Sequence, residues 1–223
     1  VNIQLSSIKS HSNNFKNYSH AMSLYTLQKI SQCFDGHDLH QKTIQEDEIL
    51  FWQGAALDYV YYVISGEIRS ERYLMEGREL VFYRGQMGSI LCEESLYFDK
   101  YLYTGVATVD STVLVIPQAS FSQVSETNPE FTKQIIRCMA QRYESSLMSR
   151  EILMIKSADQ RLLAWLNFLM PNGETSIDLS QKMGTLASEI GLSRESIYRS
   201  FKKLEEQKLI TRDHGSVTLI KQS

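Results

Sequence analysis

The sequence predicts an α+β fold in three parts: an antiparallel β-roll or sandwich, one long helix, and a C-terminal helix-turn-helix with a β-hairpin wing. Three observations predict it. Between Ile49 and Ile116, short runs rich in β-branched and aromatic residues alternate with glycines, as in many-stranded antiparallel folds. After Pro129 neither proline nor glycine recurs until Pro171. Near the C-terminus, Ala187, Gly191 and Ile197 fall at the spacing that lets two helices meet across a tight turn.

Composition sets the limits. A chain of 223 residues makes one large domain or two small ones, at about 100–200 residues each. With 43% hydrophobic and 22% charged residues it can fill a core, which excludes a disordered chain. No stretch approaches the roughly 18–20 uninterrupted apolar residues of a membrane span. The polar lead Val1–Ser19 lacks the apolar run of a signal peptide, so a cytoplasmic chain with no membrane partner is expected. Cys33, Cys92 and Cys138 are far apart and form no CxxC pair, which fits a reducing compartment. A net charge of −3 excludes a globally basic nucleic-acid coat but not a local one. Residues 1–158 carry 14 Lys and Arg against 18 Asp and Glu, whereas residues 159–223 carry nine against eight. Arg194, Arg199, Lys202 and Lys203 gather in the latter part.

Each element follows in order. Leu24, Leu27, Ile30 and Phe34 recur at helical spacing and predict a short amphipathic helix. Strands are expected at Ile49–Trp52, Tyr59–Ile64, Glu67–Met75, Glu79–Tyr83 and Thr112–Ile116, ending at Pro117. Gly54, Gly66, Gly77, Gly85 and Gly88 supply the turns between them. Asn128-Pro129 reads as N-cap and first helical residue. The helix should run to about Lys156, 28 residues or ~42 Å. Phe131, Ile135, Cys138, Met139, Met148, Ile152 and Ile155 mark one face, polar at its middle where Arg142, Ser145, Ser146 and Ser149 lie. So long a helix on so small a protein predicts pairing with a second copy through that face; the alternative is a helix lying across its own roll. A hinge at Lys156–Asp159 precedes a helix over Arg161–Met170, with Leu162, Leu163, Leu166 and Leu169 inward.

The segment Thr185–Ile210 is the most informative. Ala187 lets the helices approach, Gly191 turns, Ile197 packs the second helix on the first, and Ser193 can cap it. Arg194, Glu195, Ser196 and Arg199 then project from its N-terminal turns, while Leu204, Leu209 and Ile210 bury its other end. Ser200 stands where an aliphatic residue is usual, leaving Phe201 to take over that packing. Thr211–Ile220, centred on Asp213-His214-Gly215, reads as the wing. The competing reading is a helical hairpin with a solvated charged face.

The stretches RLLAWLNFL and LASEIGLSRESIYRSFKKLEEQKLI resemble the DNA-binding domain of the CRP/FNR family of bacterial transcription regulators. EILFWQGAALDYVYYVISGEIRSERYLMEGRELVFYRGQMGS is similar to the family's cyclic-nucleotide-binding-type roll, a double-stranded β-helix or jelly roll, and NPEFTKQIIRCMAQRYESSL resembles its dimerisation helix. The likeness covers roughly residues 20–220. It implies an effector-sensing domain over 1–128, a dimerisation helix and hinge over 129–157, and a winged helix-turn-helix over 158–223. It also implies a homodimer that binds palindromic double-stranded DNA under allosteric control, with RNA polymerase as a further partner of an activator. Arg194, Glu195 and Arg199 match the residues with which relatives read a TGTGA-type half-site. Arginine suits guanine O6 and N7, and glutamate accepts from cytosine N4. Ser193, Ser196 and Lys202 are the expected phosphate contacts.

The resemblance also places an effector pocket at Glu93, Glu94, Ser95, Tyr103, Thr104, Arg142 and Ser146. Glu93, which would hold a ribose hydroxyl, and Thr104 are retained; the cassette's glycine is Cys92 and its phosphate-clamping arginine is Tyr103. A phenol cannot replace a guanidinium on a buried phosphate. Arg142 could clamp the phosphate instead or pair with Glu93. Cys92 reads as a packed thiol or a redox sensor, and Tyr103 as a ligand contact or as filling for an unused pocket. The effector is therefore expected not to be cyclic AMP. No cofactor or metal is expected: three scattered cysteines cannot hold a four-cysteine cluster, and the five histidines lack ligand spacing. No catalytic array or nucleotide loop appears, so no enzyme is expected. The rival function is a cyclic-nucleotide-binding regulatory module that does not act on DNA.

Overall fold

A computed structural model describes residues 27–73, 79–170, 175–179 and 183–220. Leu24, Gly77 and the ends of some expected elements lie outside them. The described residues fall into two compact units, one ending at Tyr143 and one beginning at Glu144.

The first unit opens with α1 (Leu27–Cys33), whose Ile30 is buried as its spacing predicts. Two four-stranded antiparallel sheets follow. One has the order β1 (His40–Ile44), β8 (Ser111–Pro117), β3 (Tyr59–Ser65), β6 (Ile90–Leu91). The other runs β2 (Ile49–Phe51), β7 (Thr104–Ala107), β4 (Glu67–Tyr73), β5 (Glu79–Gln86). Alternation along the strands explains why β3 and β8 read as unbroken apolar runs. Tyr61, Val63, Val113 and Val115 face one core with Phe51, Ile68 and Leu91, the interior of the roll. Val60, Tyr62, Leu114 and Ile116 face a second core with α1, α2 (Gln118–Thr127) and the start of α3 (Pro129–Met154). Both faces of β3 and β8 are therefore buried.

Three strands of this unit escaped the sequence reading. β1 exposes four of its five residues, β6 has two residues, and β7 is built of Thr, Gly, Val and Ala. Gly54, Gly66 and Gly88 have positive φ, as turns require. Gly85 is a correction: it lies within β5 opposite Ile68, not in a turn. A Cβ there would stand 2.6 Å from Leu91 Cδ2, so close packing, not backbone freedom, selects glycine.

Helix α3 ends at Met154, two residues short of the expected Lys156. Asn128 caps its start, Oδ1 accepting from Phe131 N at 3.1 Å. The expected pairing face is corrected. Phe131 and Ile135 pack with Phe34, Phe121 and Ile116 of their own unit, and Ile152 packs in the second unit's core. Besides Leu153 (39%), the large apolar residues left exposed are Ile136 (60%), Tyr143 (67%), Leu147 (38%) and Met154 (82%). With Ala140 and Arg150 they fall at alternating steps of four and three, the a/d spacing of a coiled coil.

The second unit contains α4 (Ala158–Leu169), α5 (Met183–Ile190), α6 (Arg194–Glu206) and a three-stranded antiparallel sheet. Its strands are β9 (Ser176–Asp178), β10 (Ile210–Asp213) and β11 (Ser216–Leu219), with β11 central. The wing is present, turning at His214 and Gly215, both with positive φ, the pattern of a two-residue hairpin turn. One core gathers Leu162, Trp165, Leu166, Leu186, Ile190, Ile197, Phe201, Leu204, Ile210 and Val217. Leu163 and Leu169 lie at its edge.

Candidate nucleic-acid interface and effector pocket

The crossing of α5 and α6 rests on a few residues. Gly191 has φ 60°, where an L side chain is strained, and a Cβ there would also meet Leu153 Cδ2 at 3.4 Å. Ile190 and Ile197 are buried on either side of the turn. Ser193 has the extended backbone of an N-cap, and its Oγ accepts from Ser196 N at 3.2 Å. Ser200 is buried and donates to Ser196 O at 2.8 Å, which satisfies its hydroxyl, while the buried Phe201 ring supplies the packing.

The opposite face of α6 is exposed and charged. Arg194, Glu195, Arg199 and Lys202 are all exposed on it. Arg199 Nη2 donates to Ser196 Oγ at 3.2 Å, so the serine holds a guanidinium that is otherwise free to turn. The Glu195 carboxyl sits below the usual carboxylate range because its own backbone N–H and the Ser193 hydroxyl donate to it. It therefore stays an acceptor. The structure thus brings Ser193, Arg194, Glu195, Ser196, Arg199 and Lys202 onto one short stretch of helix.

Two supporting contacts carried no sequence signal. Arg161 donates through Nε to Ile155 O at 2.8 Å and through Nη1 to Ile190 O at 3.1 Å and Gly191 O at 3.2 Å. It satisfies carbonyls at the end of α5, the turn that sets α6. Lys203 Nζ pairs with Asp159 at 3.0 Å, tying α6 to α4. Burial raises the Asp159 carboxyl, but donation from Ser157 and Lys203 outweighs it, and the group stays ionised.

In the roll, the expected pocket residues gather around a 3₁₀ turn, Glu93–Leu96. Cys92 precedes it with φ 66°, the left-handed region that costs a non-glycine residue about 1–2 kcal/mol. It is a conformation that glycine adopts without that cost. The Cys92 thiol is fully buried, and burial followed by the charges of Glu94 and Glu93 pushes its pKa well up. It is a packed thiol, not a poised thiolate. Tyr103 Oη accepts from Cys92 N at 3.3 Å, and its ring lies 5.8 Å from that of Phe51. Thr104 Oγ1 accepts from Gln53 N at 3.1 Å.

Arg142 reaches this turn from α3. Its guanidinium pairs with Glu93, donates to Ile90 O, and lies 4.0 Å from the centre of the Tyr83 ring. Of the two roles left open for Arg142, the ion pair with Glu93 is the one formed. Ser146 is exposed one turn further along the same helix. Glu93 Oε2, Glu94 Oε1 and Ser95 Oγ are buried without partners among the described residues. Burial, then the charge of Glu93, raises the Glu94 pKa against the pull of its own N–H, Tyr103 and Arg142. Two carboxyl groups thus share one committed guanidinium.

Comparison with known proteins agrees with this division. Residues 41–128 match the cyclic nucleotide-binding domain family, and residues 160–222 the Crp-like helix-turn-helix domain family. The chain is 24% identical to the global nitrogen regulator of Nostoc sp., covering 81% of this chain and 85% of that protein. It is 23% identical to the fumarate and nitrate reduction regulatory protein of Vibrio cholerae, over 81% and 74% of the two chains. The structure of the c-di-GMP-responsive global regulator CLP of Xanthomonas campestris is alike in fold, with TM-score 0.67 at 21% identity over 86% of this chain and 98% of that one. With both domains in that order and relatives that are transcription regulators, the chain belongs to the CRP/FNR family of DNA-binding transcription regulators.

Proposed function

We propose that the protein binds palindromic DNA as a homodimer, with α6 of each copy in a major groove. The observation that carries this reading is the Ser193-capped helix with Arg194, Glu195 and Arg199 exposed on one face. Arg199 and Arg194 each take a guanine, Glu195 accepts from a cytosine, and Ser193, Ser196 and Lys202 hold phosphates. Two-fold symmetry sets the half-sites one turn apart, ~34–36 Å or 10–10.5 base pairs, near TGTGA-N6-TCACA. A regulator of this kind works in the cytoplasm and meets RNA polymerase there if it activates. The test is titration of a labelled palindrome. Arg194→Ala and Arg199→Ala should each cost about 1–3 kcal/mol per half-site and relax the sequence requirement at one base pair. Lys202→Ala should weaken all sequences alike and lower the salt slope by about 1. Unchanged specificity in both arginine variants would refute these roles.

The roll is proposed to sense something other than cyclic AMP. A cyclic phosphate would meet Tyr103 and two carboxyl groups, and the nearby guanidinium is already paired with Glu93. Losing a charged partner in a desolvated site costs about 2–5 kcal/mol, roughly 30- to 5,000-fold in affinity. The effector is instead a less anionic molecule, or none, and it acts by changing how the α3 helices pair and so how the two α6 helices meet DNA.

A further inference from the structure

We infer that Tyr198 is a further base-reading residue, its ring packing on a thymine C5 methyl in the major groove. The inference rests on the DNA-binding reading of α6 and adds to it a determinant that is neither cationic nor anionic.

The exposed residues of α6 are otherwise charged: Arg194, Glu195, Arg199, Lys202, Lys203 and Glu206. Tyr198 stands among them 58% exposed. Helical periodicity explains its place. Ile197, Ser200, Phe201 and Leu204 are buried together, which turns residue 198 out toward solvent. It lies one turn beyond Arg194, one turn before Lys202, and next to Arg199, so any groove that receives those side chains receives the ring. The core does not use it. Phe201, the helix's other aromatic, is buried with the Arg212 guanidinium 5.0 Å from its ring centre. Tyr198 makes no hydrogen bond or ring contact among the described residues.

The chemistry then narrows the partner. The major groove offers hydrogen-bonding edges, which arginine and glutamate read, and one apolar group, the thymine methyl. A ring held between charged neighbours can gain from the methyl by excluding water. Burying one methyl is worth about fourfold in affinity.

The experiment uses the full-length protein and its selected DNA site, with each thymine replaced in turn by deoxyuridine, which removes only the methyl. Wild type, Tyr198→Phe and Tyr198→Ala are compared by fluorescence anisotropy, with circular dichroism to verify folding. One thymine per half-site is expected whose replacement weakens wild type and Tyr198→Phe about fourfold, and leaves Tyr198→Ala unaffected. If no thymine methyl matters, or if its effect persists in Tyr198→Ala, the inference is overturned. If the phenylalanine variant loses the effect, the hydroxyl and not the ring makes the contact, and the inference is likewise overturned. Failure of all three proteins to select any DNA site would refute the DNA-binding reading itself, a distinguishable outcome.

Discussion

Arg142 shows how one side chain can be committed by its neighbours. It is bound to Glu93, to the carbonyl of Ile90 and to the face of Tyr83, so the cation nearest the 3₁₀ turn is already committed. Glu94 has the opposite problem, with Oε1 buried and unpartnered and a pKa raised first by burial and then by Glu93. The sign of its effect on stability follows. A carboxyl that holds its proton more tightly when folded favours the folded state below its unfolded pKa of about 4.3, and that contribution is lost as pH rises through the raised value. Glu94→Gln removes the titration. In urea denaturation at about pH 3.5, below the unfolded value, and at about pH 8, the variant should gain on wild type at the higher pH; a constant difference would show that Glu94 titrates normally. Much of this site was legible residue by residue. Glu93, Glu94, Tyr103 and Arg142 could be placed by the cassette they resemble, and Arg142 by the two roles open to it. Spacing could not decide between those roles, because the Ile90 carbonyl and the Tyr83 ring that fix the guanidinium come from other strands.

The elements were legible where a pattern had one cause. β3 and β8 read clearly because both sides of these two strands are buried, and the helix-turn-helix read clearly because Ala187, Gly191 and Ile197 each serve one steric need. Where one element serves two masters the reading slipped. α3 carries Phe131 and Ile135 toward the roll and Ile152 toward the C-terminal core, yet Ile136, Tyr143, Leu147 and Met154 form a separate stripe. Steps of three and four occur along both faces, so periodicity alone cannot say which is internal. β9, three residues long, has no period to read. We propose this stripe as the dimer contact. A dimer seated on it would bury the exposed 38% of Leu147 twice, so Leu147→Glu should remove at least about 1–2 kcal/mol, some five- to thirtyfold in dissociation constant. Sedimentation should show the variant as a monomer at micromolar concentration where wild type is a dimer. A dimeric Leu147→Glu would place the contact elsewhere, and a monomeric wild type would refute the dimer.

At the scale of the molecule, a roll in which Arg142 is paired with Glu93 and a helix-turn-helix with an exposed, charged helix face are joined along one chain. The pocket leads to an expectation for binding: calorimetric titration with cyclic AMP should give no heat at micromolar concentration. Micromolar affinity, abolished by Glu93→Ala, would mean that Arg142 can leave its carboxylate for a phosphate. The reading face leads to an expectation for specificity, and this is the more direct trial of what the protein is. Purified full-length protein is incubated with a randomised duplex library and the bound sequences are read. The expected product is a two-fold palindrome with half-sites one helical turn apart and a guanine at the position lost in Arg199→Ala. Recovery of no palindrome, or of the same palindrome from Arg199→Ala, would contradict the assignment of α6 as the element that reads DNA.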